Sequence, residues 1–134
     1  MSSVTTSCVL IADRHHVLFA GISGLLETTF DKVFLVTDKA SLIEGAMRLQ
    51  PTIIVMDLSY AAGNLPDLVR ELRHQAPMAK LLLLSVHDEP AVITSAMTAG
   101  ADGLVVKRAL ASDLIPAIDA VLAGQRYFFS SVAF

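Results

Sequence analysis

The stretch that decides the fold is Thr52-Ile-Ile-Val-Met56, a run of apolar and β-branched residues that ends directly at an acidic residue, Asp57. This composition is typical of a β-strand that is buried on both faces. Pro51, immediately before the run, ends any helix that comes from the preceding segment. The stretch therefore predicts a central strand of a parallel sheet, followed at once by a carboxylate.

Similar short apolar runs lie on both sides of this strand, and longer amphipathic stretches separate them. The runs predict four more strands, at Cys8–Ala12, Val33–Val36, Lys80–Leu84 and Leu104–Val106. The separating stretches have apolar residues at helical spacing and predict five helices, at Val17–Thr28, Ser41 to about Leu49, Pro66–Gln75, Pro90–Ala99 and Leu114–Ala123. Strands and helices that alternate in this way indicate a doubly wound α/β fold with a five-stranded parallel sheet and five helices.

Two helix starts carry specific predictions. Ser41-Leu-Ile-Glu44 has the spacing of a capping box, in which the serine and glutamate side chains bond each other's backbone N–H groups. The second helix is therefore predicted to open at Ser41. Pro116 lies in the last helical stretch and is tolerated in the first turn of a helix. The last helix is therefore predicted to begin near Asp113.

Composition and charge limit what the chain is. Its 134 residues correspond to one domain, and a hydrophobic content of 54% argues against disorder. No apolar run approaches the roughly 20 residues of a membrane helix. A single cysteine, Cys8, cannot form an internal disulfide, so a cytoplasmic protein is expected. The net charge of −3 argues against direct binding of a nucleic-acid backbone. We expect one domain over residues 1–134, with residues 1–6 and 128–134 as flexible tails or the start of a linker.

Four polar residues stand directly after predicted strands: Asp13, Asp57, Ser85 and Lys107. Because the carboxyl ends of parallel strands meet at one edge of a sheet, these side chains are expected to converge there. Asp57 would act as a nucleophile or metal ligand, and Asp13 as a ligand of Mg²⁺. Ser85 and Lys107 would contact phosphoryl oxygens. Each residue alone has an ordinary interpretation as a cap, a turn residue or a solvated charge, but together they predict a phosphoryl-transfer site.

Five stretches carry a resemblance to a known family, in the right order and over nearly the whole chain. They are Ile11-Ala-Asp-Arg-His-His-Val-Leu-Phe-Ala-Gly21, Pro51-Thr-Ile-Ile-Val-Met-Asp-Leu58, Leu84-Ser-Val-His-Asp88, Ala99-Gly-Ala-Asp-Gly-Leu-Val-Val-Lys107 and Ala123-Gly-Gln-Arg-Tyr127. They resemble the receiver domains of two-component response regulators, in particular the NarL/FixJ subfamily, whose receivers precede a LuxR-type DNA-binding domain. The resemblance implies the flavodoxin-like receiver fold.

By this resemblance Asp57 would be the phosphoacceptor of a sensor histidine kinase. Mg²⁺ would be held by Asp13, Asp57 and the backbone carbonyl of Ser59. Ser85 and Lys107 would detect the phosphorylated state. Phosphorylation would favour a homodimer, and the protein would control transcription rather than act as an enzyme. DNA would be contacted only through an output domain that is absent from this chain, and no membrane contact is expected.

Four features depart from the family pattern, one of them His16, where the subfamily commonly has proline. Arg14 stands where the family usually has a second metal-binding acid. Two interpretations of it remain open: the side chain turns to solvent, or it takes the place of the metal and pairs with Asp57. Leu104 replaces the Tyr or Phe that commonly rotates inward as a switch. The loop at 59–63 lacks the usual Met-Pro, and Tyr60 within it is expected to be partly exposed.

Three functions remain open. The first is a phosphoacceptor switch that regulates transcription. The second is a degenerate receiver that acts by protein contact alone, because Arg14 weakens or abolishes Mg²⁺-dependent phosphorylation. The third is a small enzyme or flavin carrier on a similar fold. It is disfavoured because residues 13–16, after the first strand, are not a glycine-rich phosphate loop.

Overall fold

Strands and helices alternate in the computed structural model of the chain, which describes residues 7–14, 16–61 and 63–128 and, for residues 16–22, the backbone alone. The strands are β1 (Cys8–Ala12), β2 (Lys32–Val36), β3 (Ile53–Asp57), β4 (Lys80–Ser85), β5 (Gly103–Val106) and β6 (Tyr127–Phe128). The helices are α1 (His16–Thr29), α2 (Lys39–Leu49), α3 (Leu65–Gln75), α4 (Pro90–Ala99) and α5 (Leu110–Leu122). Short 3-10 helices, Leu58–Ala61 and Lys107–Ala109, follow β3 and β5. Among these described helices, none is long and apolar enough to span a membrane.

The sheet order is β2-β1-β3-β4-β5-β6, and every neighbouring pair is parallel. The chain winds outward from β1 to β2 on one side and from β3 to β6 on the other, so the order reverses between β1 and β3. The carboxyl ends of these two strands therefore flank the switch point, where ligands bind in open α/β sheets. This topology confirms the prediction of a doubly wound parallel sheet.

The sheet has six strands in the described part of the chain, so the prediction of five was wrong. β6 pairs with Gly103 and Leu104 of β5. A two-residue strand has no sequence periodicity of its own, because the edge of β5 sets its register. Phe128 therefore belongs to the sheet and not to a terminal tail. The rest of the predicted tails, residues 1–6 and 129–134, lies outside the described residues.

Two apolar layers, one on each face of the sheet, make the core. Strand residues alternate between them: Leu10 and Ile54 face the layer with α2, α3 and α4, while Val9 and Ile53 face the layer with α1 and α5. Every residue of β1 and of β3 is buried, as expected for a parallel sheet that helices cover on both sides. The core therefore fixes the ends of β1 and β3, and with them the residues that follow.

The start of α2 differs from the predicted capping box. Asp38 is the N-cap, and its carboxylate accepts a hydrogen bond from the backbone N–H of Ser41 at 2.7 Å. The helix therefore begins at Lys39, and the prediction that it opens at Ser41 was wrong. Aspartate caps a helix as well as serine does, and its negative charge also suits the positive end of the helix dipole.

The start of α5 also differs from its prediction. The helix begins at Leu110, before the predicted start near Asp113, and Pro116 lies inside it rather than in its first turn. The additional turn buries Leu110, and Leu114 in the next turn is buried too. Pro116 itself is exposed. Apolar packing on one side of the helix thus offsets the loss of the backbone hydrogen bond that the proline cannot donate.

Candidate functional site

The buried polar side chains of the described residues gather at one place, the carboxyl edge of the sheet. They are Asp13, Asp57 and Ser85, which are 1%, 7% and 1% exposed. Asp13 follows β1, while Asp57 and Ser85 are the last residues of β3 and β4. Burying a carboxylate is costly unless a partner compensates its charge. Two buried carboxylates at the switch point of the sheet therefore indicate a functional site.

Lys107 provides the compensating charge. It is the first residue after β5, and its ammonium group contacts the Oδ2 atom of Asp57 and lies 3.4 Å from Oδ1 of Asp13. The backbone N–H of Ser59 donates a further hydrogen bond to Oδ1 of Asp57 at 2.9 Å. Three of the predicted residues, from three different strand ends, thus form one connected group.

The charge state of Asp57 follows from these contacts. Burial acts to raise the pKa of its carboxyl group, but the hydrogen bonds from Lys107 and Ser59 together hold that pKa below its ordinary value. Asp57 is therefore a carboxylate at neutral pH. A charged carboxylate with a cation beside it is suited to attack an electrophilic phosphorus atom.

Ser85 reaches the same edge, but its hydroxyl group has another partner. The hydroxyl donates to the backbone carbonyl of His87 at 2.8 Å and accepts from the backbone N–H of His87 at 2.9 Å. Ser85 pairs with Val106 in the sheet, one residue before Lys107. Ser85 thus lies at the carboxyl edge of the sheet, and its hydroxyl group stabilises the turn after β4.

Arg14 lies beside this group and does not join it. Its side chain is exposed, and its guanidinium carbon lies 4.5 Å from the centre of the Tyr60 ring. Among the described residues, Arg14 has neither a salt bridge nor a hydrogen bond, and the cation in contact with Asp57 is Lys107. The guanidinium thus turns toward solvent, but an aromatic ring holds it at the edge of the sheet.

Tyr60 was predicted to be partly exposed, and this was wrong. It is 1% exposed and packs in the core layer of α2, α3 and α4. Its hydroxyl group has no hydrogen-bond partner among the described residues. Burial raises the pKa of Tyr60, and the positive charge of Arg14 opposes that rise. The available sequence signal was an aromatic residue and an arginine shortly after two strands that prove to be neighbours.

Leu104, another departure from the family pattern, lies inside the sheet. It is fully buried in β5 and pairs with Leu83 of β4 and Phe128 of β6. It packs in the layer with α2, α3 and α4, and its aliphatic side chain has no ring to rotate toward the carboxyl edge of the sheet. Any response to a ligand at Ser85 would therefore involve the neighbouring loops rather than a rotation of this side chain.

Asp88 and Arg108 form an ion pair that the sequence analysis did not single out. Asp88 lies in the loop after β4, and Arg108 follows Lys107 in the 3-10 helix after β5. The pair therefore joins the two loops that carry Ser85 and Lys107. Opposite charges shortly after two adjacent strands were the signal for it, but strand adjacency is known only from the folded sheet.

Magnesium is the cation expected for an acidic site of this kind, with Asp13, Asp57 and the Ser59 carbonyl as its predicted ligands. Within the described ranges there is no cluster of three or more His, Cys, Asp or Glu side chains able to hold a metal ion. The Lys107 ammonium already contacts both carboxylates, and Arg14 adds positive charge beside them. Mg²⁺ is attracted by the negative charge of carboxylates. Because the Lys107 ammonium already compensates that charge, this arrangement does not fit a resident Mg²⁺ ion.

Residues 9–119 match the family model of the response regulator receiver domain. Among curated proteins, the chain is 32% identical over 129 residues to the response regulator UvrY of Escherichia coli, covering 93% of this chain and 58% of UvrY. It is 31% identical over 134 residues to the nitrate/nitrite response regulator protein NarP of E. coli, covering 98% and 62%. It is 30% identical over 128 residues to the transcriptional regulatory protein MctR of Rhizobium johnstonii, covering 92% and 59%. The chain thus spans about three fifths of the length of these relatives.

Solved structures share the fold. The non-phosphorylated receiver domain of the stress response regulator RcsB from E. coli superposes with a TM-score of 0.78 at 24% identity, covering 94% of this chain and 100% of that chain. A LuxR-family two-component response regulator from Aurantimonas sp. SI85-9A1 superposes with a TM-score of 0.80 at 27% identity, covering 95% and 91%. At its lower identity the RcsB likeness shows the fold alone.

Proposed function

Because the chain belongs to the response regulator receiver domain family, we propose that it is the receiver of a LuxR-type regulator in which a sensor histidine kinase phosphorylates Asp57. One observation carries this proposal: the Asp57 carboxylate is buried at the end of β3 and is kept charged by contacts from Lys107 and Ser59. A buried, ionised carboxylate beside a lysine has the properties that a phosphoacceptor needs.

The transfer itself needs few groups. An oxygen atom of Asp57 attacks the phosphorus atom, and the bond from phosphorus to the donor imidazole nitrogen breaks. The imidazole keeps the electron pair and takes up a proton. Lys107 neutralises part of the charge on the transferred group. Ser85 would have to release His87 before its hydroxyl group could donate to a phosphoryl oxygen.

Phosphorylation would act on the rest of the protein by shifting an existing equilibrium between two states. In this proposal the phosphorylated state forms a homodimer in the cytoplasm and acts on transcription through a DNA-binding output domain of the same regulator. The relatives UvrY, NarP and MctR support this proposal, because they are response regulators or transcriptional regulatory proteins by name.

A small phosphodonor tests the acceptor directly. We expect incubation with acetyl phosphate to add one phosphoryl group to the intact protein, and we expect Asp57→Asn to abolish the adduct because an amide is not a nucleophile for this step. Intact mass spectrometry measures both. Asp119→Asn, which makes the same change of charge at an exposed position of α5, is the matched control and should retain the adduct. An adduct of equal yield in Asp57→Asn would exclude Asp57 as the acceptor.

The second candidate function is a receiver that signals by protein contact alone. It is favoured by one observation, the presence of Arg14 where the family has an acid, beside carboxylates that do not fit Mg²⁺. In that case the self-association of the chain, measured by sedimentation, would be the same with and without acetyl phosphate and the same in Asp57→Asn. A phosphodonor-dependent dimer that Asp57→Asn loses would exclude it.

A further inference from the structure

The four side chains of Asp13, Asp57, Lys107 and Arg14 together carry no net formal charge. Two carboxylates, Asp13 and Asp57, face one ammonium group, that of Lys107, with the guanidinium of Arg14 beside them. Replacing an acid by arginine at position 14 adds two units of positive charge, because a carboxylate carries one negative charge and a guanidinium one positive charge. This is the charge of one Mg²⁺ ion. The substitution therefore supplies, as part of the chain, the charge that a divalent cation would bring.

The position of Arg14 is defined by a fixed platform. Tyr60 is fully buried and packs with Ala61 and Leu65 in the core. The guanidinium lies over its ring, with 4.5 Å between the guanidinium carbon and the ring centre. Such cation–π contacts hold the flat face of the guanidinium. The N–H groups lie around the rim of that plane, where they remain able to bind an oxyanion.

The neighbours of Arg14 leave its N–H groups available for an incoming ligand. No described carboxylate or carbonyl accepts a hydrogen bond from it, in contrast to Arg73 and Arg108, which both bind aspartates. Tyr60 lies three residues after Asp57, and the charges of Arg14, Asp13 and Asp57 all act on its hydroxyl group. Arg14 follows Asp13 directly in the chain and lies over a ring three residues after Asp57, and a planar fork of N–H donors suits the oxygens of a phosphoryl group.

We propose that Arg14 takes the role of the divalent cation, so that Asp57 accepts a phosphoryl group without Mg²⁺. This inference rests on the proposed function of Asp57. With acetyl phosphate as donor, an Asp57 oxygen bonds to phosphorus, the bond from phosphorus to the acetyl oxygen breaks, and acetate leaves with the electron pair. No proton is required. Arg14 and Lys107 contact the oxygens of the group in transfer, where preorganised positive charge acts most strongly.

Phosphorylation with and without metal, in three forms of the full chain, tests this role. We expect the wild-type protein to form the acetyl phosphate adduct at the same rate in Mg²⁺ and in EDTA. Arg14→Gln, which keeps a polar N–H donor but removes the charge, should lose about 10²-fold in rate in both solutions. Arg14→Asp should be equally slow in EDTA, should regain rate in Mg²⁺, and should bind Mg²⁺ by calorimetry where the wild type does not. Arg70→Gln, an equal loss of charge on the exposed face of α3, should behave as wild type.

The outcomes separate the two proposals. A wild-type adduct that forms only in Mg²⁺ would overturn the role of Arg14 and leave Asp57 as the acceptor. An adduct that forms in EDTA equally fast in wild type and Arg14→Gln would also overturn the role of Arg14, because another group would then supply the positive charge for the transfer. An adduct in Arg14→Asp with Mg²⁺ but never in wild type would overturn both proposals and support the contact-only receiver. The absence of an adduct in every form would overturn both as well.

Discussion

The Asp38 carboxylate accepts two hydrogen bonds from a single residue, Ser41: one from its backbone N–H at 2.7 Å and one from its hydroxyl group at 3.1 Å. These bonds, led by the one from the backbone N–H, hold the pKa of Asp38 below its ordinary value. Because the folded pKa is the lower one, the folded state favours the charged form. The start of α2 therefore depends on the ionisation of one side chain.

We expect Asp38→Ala to lower the free energy of unfolding at neutral pH, because α2 loses its cap, while Asp38→Asn retains the cap and costs less. The extra stability that aspartate gives over asparagine at this cap is present above the pKa of the carboxyl group in the unfolded chain, about 3.9. It disappears as the pH falls through the lower folded pKa. Urea unfolding of the three proteins across the acid range measures this. A constant difference between aspartate and asparagine at all these pH values would contradict it.

For single residues, the sequence predicted where the site residues lie in the fold better than it predicted which groups they contact. Asp13, Asp57, Ser85 and Lys107 were found because each follows a strand, and strand ends meet whatever the details of the loops. The burial of Tyr60 was not predictable in this way. It lies in a short 3-10 helix, where neither the period of a strand nor that of an α-helix relates side-chain direction to position in sequence.

Among the elements, α3 is bound to its neighbours by one arginine. The Arg73 guanidinium donates to the carbonyl of Ala79 before β4 and to the carbonyl of Gly100 after α4, each at 2.8 Å. It also pairs with Asp102, just before β5, at 2.9 Å. The same Asp102 oxygen atom accepts the backbone N–H of Leu81 at 2.8 Å. The amino edge of the sheet, opposite the site, is therefore joined by a single network.

We expect Arg73→Ala to destabilise the protein by about 2–3 kcal/mol, because it removes three bonds and leaves Asp102 partly buried without its cation. Arg70→Ala is the matched control on the same helix. Its exposed pair with Asp67 should be worth less than about 0.5 kcal/mol. Chemical denaturation measures both changes, and equal losses would show that the network adds nothing.

The elements that sequence reasoning misplaced are those whose limits depend on packing. Pro116 predicted a start of α5 near Asp113, but the helix begins earlier, at Leu110, because this residue is buried. β6 was missed altogether, because Tyr127 and Phe128 adopt a strand only beside the edge of β5. In contrast, the longer strands were predicted to within one residue at each end, since their apolar runs are buried on both faces.

At the scale of the whole molecule, β6 closes against β5 at a position where only glycine fits. A Cβ atom on Gly103 would lie 2.7 Å from the backbone carbonyl oxygen of Tyr127 and 2.9 Å from a methyl carbon of Leu82. Both distances are shorter than van der Waals contact. The edge strand can therefore approach β5 only because residue 103 has no side chain.

We expect Gly103→Ala to cost about 1–3 kcal/mol, the usual range for a methyl group forced into a packed interior. Gly24→Ala places the same methyl group on α1, where nothing lies within 4 Å. It should stabilise the protein by roughly 0.5–1 kcal/mol, since alanine favours a helix. Thermal and urea unfolding of both variants measure these effects. A stabilised Gly103→Ala protein would mean that β6 does not pack at this edge.

The buried ring of Tyr60 gives the protein an optical signal of its own. The chain contains two tyrosines and no tryptophan, so its tyrosine absorption and emission come from Tyr60 and Tyr127 with no brighter chromophore to mask them. Tyr127 lies in the edge strand, whereas Tyr60 lies under Arg14 within reach of the charges of Asp13 and Asp57. In a Tyr127→Phe protein the tyrosine spectrum would therefore come from Tyr60 alone and report on the carboxyl edge of the sheet. The binding of a charged ligand at that edge could then be followed without a label.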